Sequence, residues 1–172
     1  MHSNILNVTL LLCSDGSYDP RQGDASHGWV IASADGTIFW DGAGPDDGHP
    51  KLMSAYRSEL GGLVVIIYIR HRLSQAFEIT SGSAICYCNS SSALRNIFNQ
   101  DQPDGVYKAT KPDYDLICTA GHLLLQIQFE VKPKWVKGHV ADIVELKHEL
   151  NDIANTLAGT FQKGPPTPFD PH

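Results

Sequence analysis

The sequence predicts an α/β domain: a five-stranded mixed sheet, three antiparallel strands and then two parallel additions, flanked by helices. Three observations carry that expectation. Three strand-like segments come first, the last two joined by Asp35-Gly36, the strongest hairpin signal in the chain. Two further strand-like segments follow, each reached through a stretch of helical periodicity, as parallel strands must be. The length of 172 residues, 42% apolar and 19% charged, suits one domain with a single core.

Each element has its own warrant. Residues 6–13, Leu-Asn-Val-Thr-Leu-Leu-Leu-Cys, read as a strand that ends at Ser14-Asp15-Gly16-Ser17. Residues 26–33 and 37–43 read as the second and third strands, completing an antiparallel meander. Ser54 is a candidate cap for a long helix over 55–72, whose Leu60, Leu63, Val64 and Ile67 recur at helical spacing. Gly61-Gly62 within it costs about 1 kcal/mol per residue, so another backbone is expected to approach there. Residues 84–88 form a short fourth strand and 90–98 a short helix; 101–111 is a polar loop. A helix over 113–126, a fifth strand over 129–136 and a final helix over 149–161 complete the order β-β-β-α-β-α-α-β-α. The domain is expected to span 1–161, with 162–172 a disordered tail holding four prolines among Gly164 to His172.

Composition excludes several classes. Thirteen Lys and Arg against nineteen Asp and Glu give a net charge of −6, which argues against a generally basic nucleic-acid coat and a polybasic membrane binder. No apolar run approaches the ~18 residues of a membrane span. The start, Met-His-Ser-Asn-Ile, lacks the charged region and cleavage site of a signal peptide. Cys86 and Cys88 share one strand face at the wrong spacing for a zinc knuckle. With Cys13 and Cys118 they read as reduced thiols of an intracellular (cytoplasmic or nuclear) protein, and the sequons at Asn7 and Asn89 as chance matches.

The chemistry-bearing segments come in a recognisable order. They are Cys13-Ser14-Asp15-Gly16-Ser17, the Asp35-Gly36 hairpin, Tyr56-Arg57-Ser58-Glu59-Leu60, Asn89-Ser90-Ser91-Ser92-Ala93-Leu94, Trp135-Val136-Lys137-Gly138-His139, and Asn151-Asp152-Ile153-Ala154-Asn155-Thr156-Leu157-Ala158. Over about Val8 to Ala158 the chain resembles the ribonuclease H family, in a style as close to retroelement reverse-transcriptase-associated domains as to free-standing enzymes. The resemblance implies the ribonuclease H-like fold and hydrolysis of the RNA strand of RNA–DNA hybrids. It implies up to two Mg²⁺ or Mn²⁺ ions, held by four carboxylates because hard cations take oxygen ligands.

Here only two of the four positions carry acid: Asp15 and Glu59. The third and fourth hold Asn89 and Asn155. By the family's arrangement Asp15 bridges both metals, Glu59 and the third position serve the leaving-group ion, and the fourth serves the nucleophile-side ion. Each Asn keeps an acceptor oxygen and loses a charge, with Asn89 the graver loss. Asp152, one turn before Asn155, is the nearest acid that could substitute, against the simpler reading of a solvated or helix-N-terminal charge, while Asp142 and Glu149 fall on or next to the loop before the last helix. His139 is expected to help protonate or release the leaving group.

Further contacts are implied more loosely. Gly16 and Ser17 are expected at the RNA strand and its 2′-OH, and Ser90 or the Ser90–Ser92 run, with Asn96, at a DNA phosphate. Lys108, Lys111, Lys132, Lys134 and Lys137 form a possible phosphate-tracking set, against the simpler reading of dispersed solubilising charges. The expected partner is an RNA–DNA hybrid, with no membrane, no small-molecule cofactor and a monomeric state.

The leading reading is therefore a ribonuclease H-like endonuclease, impaired by Asn89 and Asn155. A second reading is a non-catalytic nucleic-acid-binding or tethering domain of a retroelement polyprotein. A third is a protein-interaction domain that has left nucleic acid behind.

Overall fold

Strand β1 (Thr9–Asp19) pairs antiparallel with β2 (Asp24–Ser33), which pairs antiparallel with β3 (Ile38–Pro45). These coordinates are a computed structural model and describe residues 9–99, 113–138 and 145–164. The expected polar loop over 101–111, His139, Asp142, Lys108 and Lys111 lie outside the described residues. Gly36 makes its hairpin at a φ of 92°, a conformation suited to glycine. The first strand runs six residues beyond its expected end at Cys13. Ser14-Asp15-Gly16-Ser17 is ladder, not turn: Asp15 pairs with Gly28, Ser17 with Ser26, and the turn waits until Asp19.

Helix α1 (Ala55–Ala76) starts where the sequence places it, with Ser54 Oγ accepting the Arg57 N–H, and continues four residues past the expected end at 72. It follows a single 3₁₀ turn at Pro50–Leu52 that the sequence reading lacked. Gly61-Gly62 is explained by close packing, but chiefly against side chains and not the expected backbone. A Cβ on Gly62 would lie 3.1 Å from Ser14 Cβ, and one on Gly61 would overlap Asp46 Oδ1.

Strand β4 (Ser83–Cys88) lies parallel to β1, and β5 (Glu130–Trp135) parallel to β4, giving the sheet order β3-β2-β1-β4-β5. Pro133, which cannot donate to a ladder, sits on β5 at the sheet edge. Between them come α2 (Ser91–Phe98), capped by Ser90, and α3 (Tyr114–Gln126). The last helix, α4 (Leu146–Lys163), begins three residues before Glu149 and ends at Lys163, two residues into the expected tail. Those two residues are helical because Gln162 ties back to the sheet. Its Nε2 donates to Asp24 O at 2.8 Å, and its Oε1 accepts from Ser17 Oγ at 2.6 Å.

Two cores fill the faces. Leu12, Ile31, Leu60, Leu63, Ile67, Cys86, Cys88 and Ile97 pack together on the side of α1 and α2. Leu11, Cys13, Val30, Tyr87, Val136, Leu150 and Ala154 pack on the side of α4. Each buried Leu or Ile contributes about 1.5–3 kcal/mol. Cys86 and Cys88 share a face as expected, and Cys13, Cys86, Cys88 and Cys118 are free thiols.

Candidate active site

The site grows from the carboxyl ends of the two central parallel strands. The β1–β4 ladder closes at Ser14 and Cys88, so Asp15 and Asn89, the next residues, emerge side by side. This is where sheet order reverses, with β2 antiparallel on one flank of β1 and β4 parallel on the other, a crevice where α/β folds seat ligands.

Asp15 is only 2% exposed, and protein donors surround its carboxylate. The Gly16 N–H donates to Oδ1 at 2.8 Å. Asn89 Nδ2 donates to both oxygens, at 3.1 and 3.2 Å. Asn151 Nδ2, from α4, donates to Oδ2 at 3.2 Å. The amide oxygens of Asn89 and Asn151 are buried and have no hydrogen-bond partner among the described residues, a state that costs about 1–3 kcal/mol per group when nothing else meets it.

Glu59 reaches the centre because Gly16 lets α1 approach β1. A Cβ on Gly16 would lie 2.6 Å from Glu59 N and 2.7 Å from Ser58 C, both backbone atoms. Burial, then the neighbouring Asp15 charge, pushes the Glu59 carboxyl up to about 9. Cys88 Sγ donates to Glu59 Oε2 at 3.5 Å. That thiol is raised well above its usual range by burial and then by Glu59.

The fourth expected position needs a distinction. Asn151 is the residue of α4 that hydrogen-bonds Asp15. Asn155 follows one turn later on the same helical side and is partly buried. Asn151 belongs to the Asn151–Ala158 motif, in which the resemblance gives a role to Asn155 alone. Its signal was the four-residue spacing to Asn155. Asp152 and Glu149 are exposed, which takes both away from the buried centre.

The expected substrate contacts divide. Gly16 and Ser90 stand at the centre, Gly16 through its N–H on Asp15 and Ser90 as the cap that starts α2 beside Asn89. The Ser17 hydroxyl is engaged by Gln162, and Asn96 Nδ2 donates to Tyr56 Oη at 2.6 Å. After β5 the chain passes close over the site: a Cβ on Gly138 would lie 3.0 Å from Asn89 Nδ2. Trp135 opens the Trp135–His139 motif, from which the sequence gives it no role. Its Nε1–H donates to Asn89 O at 2.9 Å.

No protein-family model and no curated protein matches the chain. Solved structures do. RNase H1 from the halophilic archaeon Halobacterium salinarum NRC-1 is 18% identical, with 88% of this chain and 96% of that one covered and a TM-score of 0.62. LC11-RNase H1 in complex with an RNA/DNA hybrid is 11% identical over 88% and 98%, with a TM-score of 0.63. The chain has the ribonuclease H-like fold. A foamy viral protease-reverse transcriptase in complex with an RNA/DNA hybrid matches at 14% identity and a TM-score of 0.56, over 90% of this chain and 20% of that one. At these identities the ribonuclease H-like fold is what the likeness carries, and the site must be judged on its own residues.

Those residues do not fit a pair of divalent cations. Among the described residues no group of three or more His, Cys, Asp or Glu could hold a metal ion. Two carboxylates would face four positive charges, and burial and the neighbouring Asp15 charge favour the protonated form of one of them, Glu59. At the remaining carboxylate, amide N–H groups stand where ligand oxygens would have to turn inward.

Proposed function

We propose that the chain is a ribonuclease H-like nucleic-acid-binding domain that takes RNA–DNA hybrids and whose phosphodiester hydrolysis is impaired. The observation that carries this reading is the state of Asp15. In-line hydrolysis needs a charged oxygen cluster that concentrates divalent cations at the attacking and leaving oxygens. Here the central carboxylate accepts N–H bonds from Asn89, Asn151 and Gly16, so the protein already neutralises part of the charge that would draw the ions. The fold supports the partner class, since two of the similar structures hold an RNA/DNA hybrid. Four thiols that are free in the fold suit a reducing compartment.

A ribonuclease reading is favoured by one feature: Asp15 and Glu59 remain within electrostatic reach of each other at the strand ends. The two readings part on one experiment. A labelled hybrid is incubated with the chain and Mn²⁺, beside a form carrying Asn89→Asp and Asn155→Asp. Binding with little cleavage by the parent, and cleavage by the restored form, is the expected result. Strong cleavage by the parent overturns the claim of impairment. Hybrid binding with no cleavage by either form removes the ribonuclease reading and leaves a binding or tethering domain. Loss of hybrid binding removes the proposal.

A further inference from the structure

We infer that Trp135, with Lys137 two residues on, forms a stacking platform for an unpaired nucleotide next to the bound hybrid. This rests on the nucleic-acid reading above and adds to it a second subsite with its own ligand chemistry. Trp135 ends the edge strand β5 and is 56% exposed. Its orientation is not free: the Nε1–H bond to Asn89 O anchors the ring to the same residue whose side chain meets Asp15. The platform and the candidate centre are therefore held to one another through a single residue.

The surroundings set the ligand class. Lys137 is exposed and shares no ion pair with a described residue, whereas Lys132 is paired with Glu130 at 3.0 Å and Lys134, like it, projects from the face of β5 opposite Trp135. An aromatic face with a free cation two residues along the chain fits a strand that offers both a base and a phosphate. Bases inside a duplex are already stacked on their neighbours and cannot offer a face to the indole. The occupant is thus a nucleotide just beyond the paired segment, at a single-stranded overhang. A net charge of −6 fits such a division, with attraction confined to a local patch.

The test compares blunt hybrids with hybrids carrying a short single-stranded overhang, titrated against the whole chain and against Trp135→Phe, Trp135→Ala and Lys137→Gln. The parent should bind the overhang hybrid about tenfold more tightly than the blunt one. Trp135→Phe keeps a ring without the N–H and should retain most of that preference, while Trp135→Ala should lose it. The lysine variant should lower the salt dependence of overhang binding by about 0.7 in log–log slope per phosphate contact removed. Equal binding of blunt and overhang hybrids by the parent overturns the platform and leaves the hybrid-binding reading standing. So does a preference that survives in a folded Trp135→Ala. Absence of binding to either hybrid overturns both. Because the parent's own preference decides the matter, a variant that fails to fold does not shield the proposal.

Discussion

Asn89 Nδ2 lies 3.1 Å from one oxygen of Asp15 and 3.2 Å from the other, so an amide straddles the carboxylate at the carboxyl ends of β1 and β4. Where a cation would be held between acids, two side chains complete a neutral–anionic hydrogen-bond pair. This arrangement stabilises the strand ends without a metal.

Asn89→Asp converts that pair into two carboxylates in near contact. In chelator the variant should be less stable than the parent by about 1–3 kcal/mol, through the lost hydrogen bonds and like-charge repulsion. Added Mn²⁺ should recover the loss, while the parent's melting temperature stays almost unmoved. Thermal unfolding with and without Mn²⁺ checks this. An equal response of the two proteins to Mn²⁺ counts against the amide-for-metal relationship.

Glu59 sets a pH dependence of stability. Its folded value of about 9 lies above the ordinary 4.5, through burial and then Asp15. The folded state thus binds the proton more tightly than the unfolded one. The stabilising contribution is full below about 4.5 and is lost as pH rises through about 9. Glu59→Gln, which stays neutral, should flatten the fall in stability across that window. Urea unfolding of both proteins at several pH values gives the two slopes, and parallel slopes would refute the assignment.

Gly16→Ala should destabilise by about 1–3 kcal/mol, because the new methyl meets backbone of α1 and not a movable side chain. Denaturant midpoints measure it. The variant should also weaken any Mn²⁺ response restored by Asn89→Asp, since the clash pushes Glu59 away from Asp15.

Arg57 clasps the start of α1 to that of α3. Its Nη1 donates to Asp113 and its Nη2 to Asp115, each at 2.8 Å, and the arginine is 5% exposed. Arg57→Ala strands the buried Asp113 carboxylate and should cost about 3–5 kcal/mol. The Asp115 carboxyl is held below its usual range by the Arg57 hydrogen bond. Its share of the stability is therefore present above the ordinary carboxylate range and lost as pH falls through the lowered value. Acid unfolding of the parent and of Asp115→Asn reports that share.

Some of the molecule is written in local chemistry. Ser54 and Ser90 cap their helices because a hydroxyl at that position meets the orphan N–H groups whatever surrounds it. Asp35-Gly36 turns because glycine tolerates the positive φ. The element order follows from apolar periodicity, which a sheet between helices must obey on both faces. Glu59 and Asn89 could be placed on helix start and strand end from these cues and the ordered motifs alone, whereas Asp15 lies inside β1, where only the β1–β4 ladder stops.

Other features depended on packing between distant segments. Ser14 to Ser17 carries turn-forming residues, yet β2 captures it as ladder. Asn151 meets Asp15 through the seating of α4, and that seating requires Gly28, where any Cβ would strike the Ala154 carbonyl. Trp135 was one residue of a motif until its indole was seen half exposed and bonded to Asn89 O. The division has a physical origin. Caps, turns and periodicity arise from interactions within a few residues, so their energies are legible along the chain. The rotation of α4, the proton on Glu59 and the anchoring of Trp135 arise from groups separated by many residues, and they exist only once burial has brought those groups together.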